Sequence, residues 1–239
     1  MRELRFIRHL LILLALTLTF HACITEEISE NTPKGNFQAL WEIIDTKYCF
    51  LDYKQDEYGL DWKQVYQTYS NRLTDDMGSK ALFQILSEML KELRDGHVNL
   101  VAYHETSQYR EWYDNYPTNF VDTIQRIYLG KDYVTAAGIK YSILEDNIGY
   151  IYYGSFSSGI GERNLDEILN ELSICDGLII DVRNNGGGLL SLSDRLASRF
   201  TNEKVLTGYM SYKTGPGHND FSQPEPIYVE PATNRVRWQ

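Results

Sequence analysis

Histidine and cysteine are scarce in this 239-residue chain, with five of the first and three of the second. No CxxC pair and no HExxH pair occurs, so the spacing of a zinc site is missing and no metal is expected. Positive charge is also short. Lys and Arg number 23 against 33 Asp and Glu, and a net charge of −10 argues against nucleic acid as a partner. The apolar run at residues 10–20 is only 11 residues long, too short for a mature membrane-spanning helix. The glycines at 186–188 do not form GxGxxG, and no Lys-Ser/Thr follows them, so a phosphate loop is not indicated. No internal repeat or low-complexity tract is present.

What is present begins with a targeting signal. Arg2, Arg5 and Arg8 precede the apolar run, which ends in Phe20-His21-Ala22-Cys23. A small residue followed by Cys at this place resembles a bacterial lipoprotein cleavage site. Residues 1–22 are then a signal peptide and Cys23 the lipidated first residue, with the lipid as the sole membrane attachment. An ordinary signal peptide with an incidental Cys is the other reading. Cys23-Ile24-Thr25-Glu26-Glu27 resembles the acidic export tag of surface lipoproteins, which implies a surface-exposed lipoprotein of the outer membrane in a bacterial cell envelope. Removing residues 1–22 leaves 20 basic against 32 acidic side chains, or −12. Residues 23–35 are polar and read as a flexible tether. Cys49 and Cys175 read as two free, buried thiols.

Three helical patterns follow. Phe37, Leu40, Trp41, Ile44 and Tyr48 share one face, and Trp62, Val65, Tyr66, Tyr69 and Leu73 share another. Leu82, Phe83, Leu86, Met89, Leu90 and Leu93 mark a third, with Ser79 as a candidate cap. Such faces hide only against each other, so residues 36–96 are expected to form a three-helix subdomain. Residues 97–239 then form an α/β (α+β) domain. Its first segment, 97–104, alternates as a strand, which points His97 and His104 to opposite sides. Residues 105–120 read as irregular, residues 126–137 and 140–144 as short strands, and the chain after Thr207 as loop-rich. A strand at 148–156, a helix at 164–172 and a strand before the glycines make a βαβ unit within a mixed sheet.

Two motifs carry candidate chemistry. The segment GLIIDVRNNGGG at 177–188 reads as a buried strand running into a glycine turn, with a helix after it. Strand, turn and helix N-terminus together aim backbone N–H groups at one spot, where an anion or a developing oxyanion can sit. Taken alone, the turn reads equally as a tight connection. His97, in LRDGHVNL at 93–100, sits at a helix-to-strand junction. Taken alone, it reads first as a structural, hydrogen-bonding histidine. Ser191 and Ser193 lie on a helix face and do not read as nucleophiles.

Together the two motifs resemble the tail-specific, or C-terminal processing, serine peptidases, nearest to the branch of the tricorn core and the interphotoreceptor retinoid-binding protein. The similarity runs from about Phe37 to Gln239 and includes IGYIYYGSFSS at 148–158. It implies a crotonase-like core and an enzyme that needs no metal or organic cofactor and cleaves polypeptides. It also implies His97 as general base and an oxyanion donor among Gly186, Gly187 and Gly188. About 50 residues separate Leu100 from Gly149, fewer than the PDZ domain of many relatives needs. The family's nucleophilic serine follows a strand that would come after Gln239, so the resemblance implies a partial domain, incomplete at its C-terminus and without its nucleophile. The alternative is a non-catalytic lipoprotein of the same fold that binds a ligand or peptide. The oligomeric state is left open.

Overall fold

The structure is a computed structural model and describes residues 30–157 and 159–233. The signal segment, Cys23 and most of the tether at 23–35 lie outside the described residues. The chain divides into two units, one ending at Gln108 and one starting at Tyr109. The hairpin after the helices therefore belongs with the first unit. None of the described helices is long and apolar enough to cross a membrane.

The first unit holds helices α1 (Pro33–Lys47), α2 (Leu51–Tyr58), α3 (Trp62–Ser70) and α4 (Ser79–Lys91). The starts of α1 and α3 are capped as helix ends require. Thr32 accepts from the Gly35 N–H before α1, and Asp61 accepts from the N–H groups of Lys63 and Gln64 before α3. Phe37, Ile44, Trp62, Val65, Tyr69, Ile85, Met89 and Leu93 form one core. Trp41 and Trp62 lock α1 to α3, because each indole N–H donates to the other's backbone carbonyl (3.0 and 3.3 Å).

Four helices stand where three are expected. The extra one, α2, buries only Leu51 and has no apolar stripe to betray it. It ends on Gly59, whose φ of 77° is left-handed. Gly78, not Ser79, is the N-cap of α4, and Ser79 is the helix's first residue. Only Asn99–Val101 of the expected strand at 97–104 is extended, as β1. It pairs antiparallel with β2 (Thr106–Gln108), inside a segment expected to be irregular.

The second unit opens with two helices, α5 (Glu111–Asp114) and α6 (Asp122–Leu129). Strands β3 (Val134–Ala136), β4 (Ile139–Ile143), β5 (Ile148–Tyr153) and β6 (Gly177–Asp181) form one sheet in that order. The pairings β3–β4 and β4–β5 are antiparallel, and β5–β6 is parallel. Helix α7 (Glu162–Leu172) is the β5-to-β6 crossover of the expected βαβ unit, and α8 (Leu190–Ala197) follows the glycine turn. Ile139, Tyr141, Ile151 and Tyr153 pack against Leu165, Ile168, Leu169 and Leu172 of α7. By strand alternation, Tyr150 and Tyr152 point to the other face, toward Gln125 and Phe120.

Several expectations are corrected here. Residues 122–129 are helical, because Gln125 and Leu129 bury one face four residues apart while the other positions stay more exposed. The strand GLIID is not buried throughout: Asp181 is buried, while Ile179 is exposed, as is Val182 just after the strand. After Thr207 the chain is loop-rich as expected, but two strands frame the loop. Strands β7 (Val205–Met210) and β8 (Glu225–Val229) pair antiparallel around the Gly/Pro-rich segment that suggests a loop. Cys49 and Cys175 are both free, but only Cys175 is buried.

Candidate active site

In the first unit, His97 lies in a turn just before β1, and its side chain is fully exposed. The turn is pinned from several directions. The His97 backbone N–H donates to Asp95 Oδ1 (2.8 Å), and the hydroxyl of the part-buried Tyr48 donates to Asp95 Oδ2 (2.7 Å). The Gln108 amide donates to the Gly96 carbonyl at 2.9 Å. Asp95 Oδ1 is also 3.5 Å from the imidazole Nδ1. Burial pushes the Asp95 carboxyl up, yet the donors from His97 and Tyr48 outweigh it and hold the group below its usual range. Burial and the Asp95 contact push the Tyr48 phenol well above its usual value. A neutral imidazole with a fixed carboxylate beside Nδ1 presents Nε2 as its free, basic nitrogen. His104 lies outside β1, with its ring edge-on to Tyr103.

In the second unit, the glycine turn starts where β6 ends. Asp181 is 5% exposed, and donors surround it. It accepts from the Arg183 backbone N–H (3.0 Å), from the Arg183 guanidinium at both oxygens (2.9 and 2.7 Å), and from the Tyr150 hydroxyl (2.5 Å). The Arg183 guanidinium is the chief cause of an Asp181 pKa lowered to about 2. Tyr150 in turn accepts from the amide of the buried Gln125 (3.1 Å). Beyond Arg183 the backbone turns at Asn184, whose φ is +59°.

The amides of the turn can be counted one by one. Gly186 N–H donates to the Gly154 carbonyl and Gly187 N–H to the Asn185 side chain, while Asn185 itself ties to the Tyr153 carbonyl. Leu189 N–H donates to the Phe156 carbonyl, and Phe156 N–H donates to the Gly187 carbonyl. These last two bonds form a parallel bridge between Phe156 and Gly188. A residue in such a bridge directs its own N–H away from the bridged strand. Gly188 N–H has no acceptor among the described residues, and it is the one amide of the three glycines in that position. Sequence reasoning left the choice among the three open, because the difference depends on the partner backbone.

Only glycine fits at 188. Its φ is +140°, and a Cβ would lie 2.2 Å from the Phe156 carbonyl carbon. At 186 a Cβ meets nothing within 4 Å. Ser193, on α8, donates to the Leu190 carbonyl, as a hydroxyl on a helix commonly does. Among the described residues no three His, Cys, Asp or Glu side chains gather as a metal-holding group. Sequence reasoning missed Tyr150 and Gln125 as partners of the site. The available signal was Asp181 itself, an acid inside an apolar strand that needs buried donors.

Two outcomes test this geometry. Gly188→Ala should destabilise the protein by about 1–3 kcal/mol in urea unfolding, through a strained and blocked backbone. Gly186→Ala should stay within about 0.5 kcal/mol. For Asp181, a native pKa of about 2 lies below the ordinary carboxylate value. Its contribution is therefore fully present above about pH 4 and is lost as pH falls from about 4 toward 2. Asp181→Asn should flatten the stability curve over that window, by up to about 2 kcal/mol. An unchanged acid limb in that variant would show that Asp181 carries no linked stability.

Similar proteins bear the fold out. A family model described as the Tricorn protease C1 domain matches residues 29–91, and one described as peptidase family S41 matches residues 147–234. A crystal structure of a candidate peptidase from Parabacteroides merdae is similar at 51% identity and a TM-score of 0.79, over 87% of this chain. The match covers 64% of that structure's chain, so this chain spans somewhat less than two thirds of it. The structure of mature CPAF complexed with lactacystin shares the fold at 12% identity and a TM-score of 0.51, over 74% of this chain and 60% of its own. No curated protein gave a sequence match. With the tricorn-type segment before it and the S41 segment carrying the strand, the glycine turn and α8, the chain belongs to the tail-specific serine peptidases of family S41.

Proposed function

We propose that these residues supply the general base and the oxyanion donor of a serine-type peptidase acting on polypeptides. The observation that carries this reading is the Gly188 N–H, left without an acceptor in a turn whose other glycine amides are bonded. A turn that commits its other glycine donors and leaves one open resembles a preorganised oxyanion site. His97 is the general base, with Asp95 fixing its backbone and standing beside Nδ1.

In the proposed reaction His97 Nε2 takes the proton from a serine hydroxyl as its oxygen attacks the scissile carbonyl. The negative charge that forms on the carbonyl oxygen is met by Gly188 N–H. His97 then passes the proton to the departing amine, leaving an acyl-serine that water hydrolyses by the same sequence. No serine of residues 30–233 is assigned as the nucleophile, and its place is proposed to be downstream of Gln239. The substrate is proposed to bind extended, and the enzyme to work in the cell envelope, anchored through Cys23.

Two experiments follow. The 239 residues alone should neither hydrolyse labelled casein nor take up a fluorophosphonate. The same residues expressed with whatever the gene encodes after Gln239 should do both, and His97→Ala should then lower hydrolysis by about 100-fold or more. Labelling of the 239-residue chain, or hydrolysis indifferent to His97, would overturn the assignment. For the anchor, cells fed an alkynyl fatty acid should label the protein, and Cys23→Ala should abolish the label. A label that survives in the variant would refute lipidation at Cys23.

A further inference from the structure

The second unit contains a cavity that the peptidase reading does not use. It lies between α6 and the face of β5 and β6 opposite α7, and its volume is about 520 Å³. Phe120, Val121, Ile124, Leu129, Leu144 and Ile179 give it largely apolar walls. Such a size, with few polar groups, suits a small organic molecule. Two other cavities among the described residues are smaller, about 330 and 260 Å³, and are lined mainly by polar and charged side chains.

One polar atom in this cavity's wall is unsatisfied. Gln125 is 7% exposed, and its Oε1 has no hydrogen-bond partner among the described residues. The amide cannot be turned over to repair this. The single Tyr150 hydroxyl proton is committed to Asp181, so the Tyr150 oxygen must accept, and only the NH2 side of Gln125 can donate to it. The carbonyl is therefore fixed as the orphan. A buried acceptor without a donor is costly, so a group that satisfies it gains affinity. The atom has almost no accessible surface, so the Gln125 side chain must shift for a donor in the cavity to reach it. Charge in the wall is balanced, because Arg183, the one cation there, is paired with Asp181.

We propose that this cavity is a binding site for a neutral, largely apolar small molecule carrying an N–H or O–H donor, and that the donor pairs with Gln125 Oε1. The apolar walls hold the body of the ligand, and the orphan carbonyl selects for the donor. An anion or a cation gains nothing from a wall whose charge is already offset. Ile124 and Tyr128, both exposed on α6, also line the cavity.

The site is tested with two isosteric probes, indole and benzothiophene, which differ in that only indole has a donor. Each is titrated into the isotope-labelled protein, and the methyl signals of Ile124 and Ile179 and the side-chain amide of Gln125 are followed by NMR. Indole should shift these signals and bind about fivefold or more tighter than benzothiophene. Gln125→Met should bring the two affinities together. Ile124→Arg, a substitution at an exposed position, should abolish binding of both probes and keeps the site testable if Gln125→Met does not fold. No shifts at the cavity, equal affinities in the wild type, a preference that survives in Gln125→Met, or binding unaffected by Ile124→Arg would each overturn the proposal. None of these readouts depends on peptide hydrolysis, so the site and the peptidase reading fail independently.

Discussion

A carboxylate that closes a strand stays charged in a protein interior only if donors surround it. Asp181 meets that condition with four: the Tyr150 hydroxyl, the Arg183 backbone N–H and two guanidinium nitrogens. These bonds decide where β6 stops, because the Arg183 N–H is spent on the side chain two residues back and no longer continues along the strand. The direction of the glycine turn follows from that point. The same bonds extend through Tyr150 to Gln125 on α6, and so tie the glycine-turn end of the sheet to the cavity face.

The same construction occurs in the first unit. Asp95 accepts from the backbone N–H two residues ahead, at His97, and its second oxygen accepts from a tyrosine hydroxyl, Tyr48. In each unit, then, an aspartate tightens a turn immediately before the candidate group, and a tyrosine rooted in the packed part of that unit holds the aspartate. Both carboxyls are held below the usual range, and both phenols above it. Charge-assisted bonds of this kind are short and directional. They position an exposed imidazole and an open backbone amide without burying either of them.

Elements with a strong period were legible in the sequence, and those without one were not. Helices α1, α3 and α4, the β5–α7–β6 unit and α8 announce themselves because their apolar residues recur on one face. Helix α2 does not, since it buries Leu51 alone. The last four residues of α6 were read into the strand region 126–137 because Ile127 and Tyr128 stand exposed, while the buried position at the helix centre is a glutamine. Strands β7 and β8 were obscured by the turn-forming residues between them. At the site, His97 and the glycines were legible as types in a pattern, while Asp181 passed as part of an apolar strand. The partners that give them meaning are 31 and 47 residues away in sequence, Tyr150 from Asp181 and Tyr48 from Asp95, and no local pattern encodes such a contact.

The two faces of the sheet carry different work, and strand alternation alone separates them. Ile151 and Tyr153 of β5, with Leu178 and Ile180 of β6, turn to α7 and form the core. Tyr150, Ile179 and Asp181 turn the other way, where the wall is looser and polar groups enter it. A shift of one residue in the β5–β6 register would exchange the two sets, putting Asp181 among leucines and the isoleucines in the polar network. The register is therefore held by the network as well as by the core: Tyr150 reaches the carboxylate two residues beyond its own partner, Ile179, only in the observed pairing. The interaction that opens the glycine turn is thus also one that keeps the sheet beneath it in place.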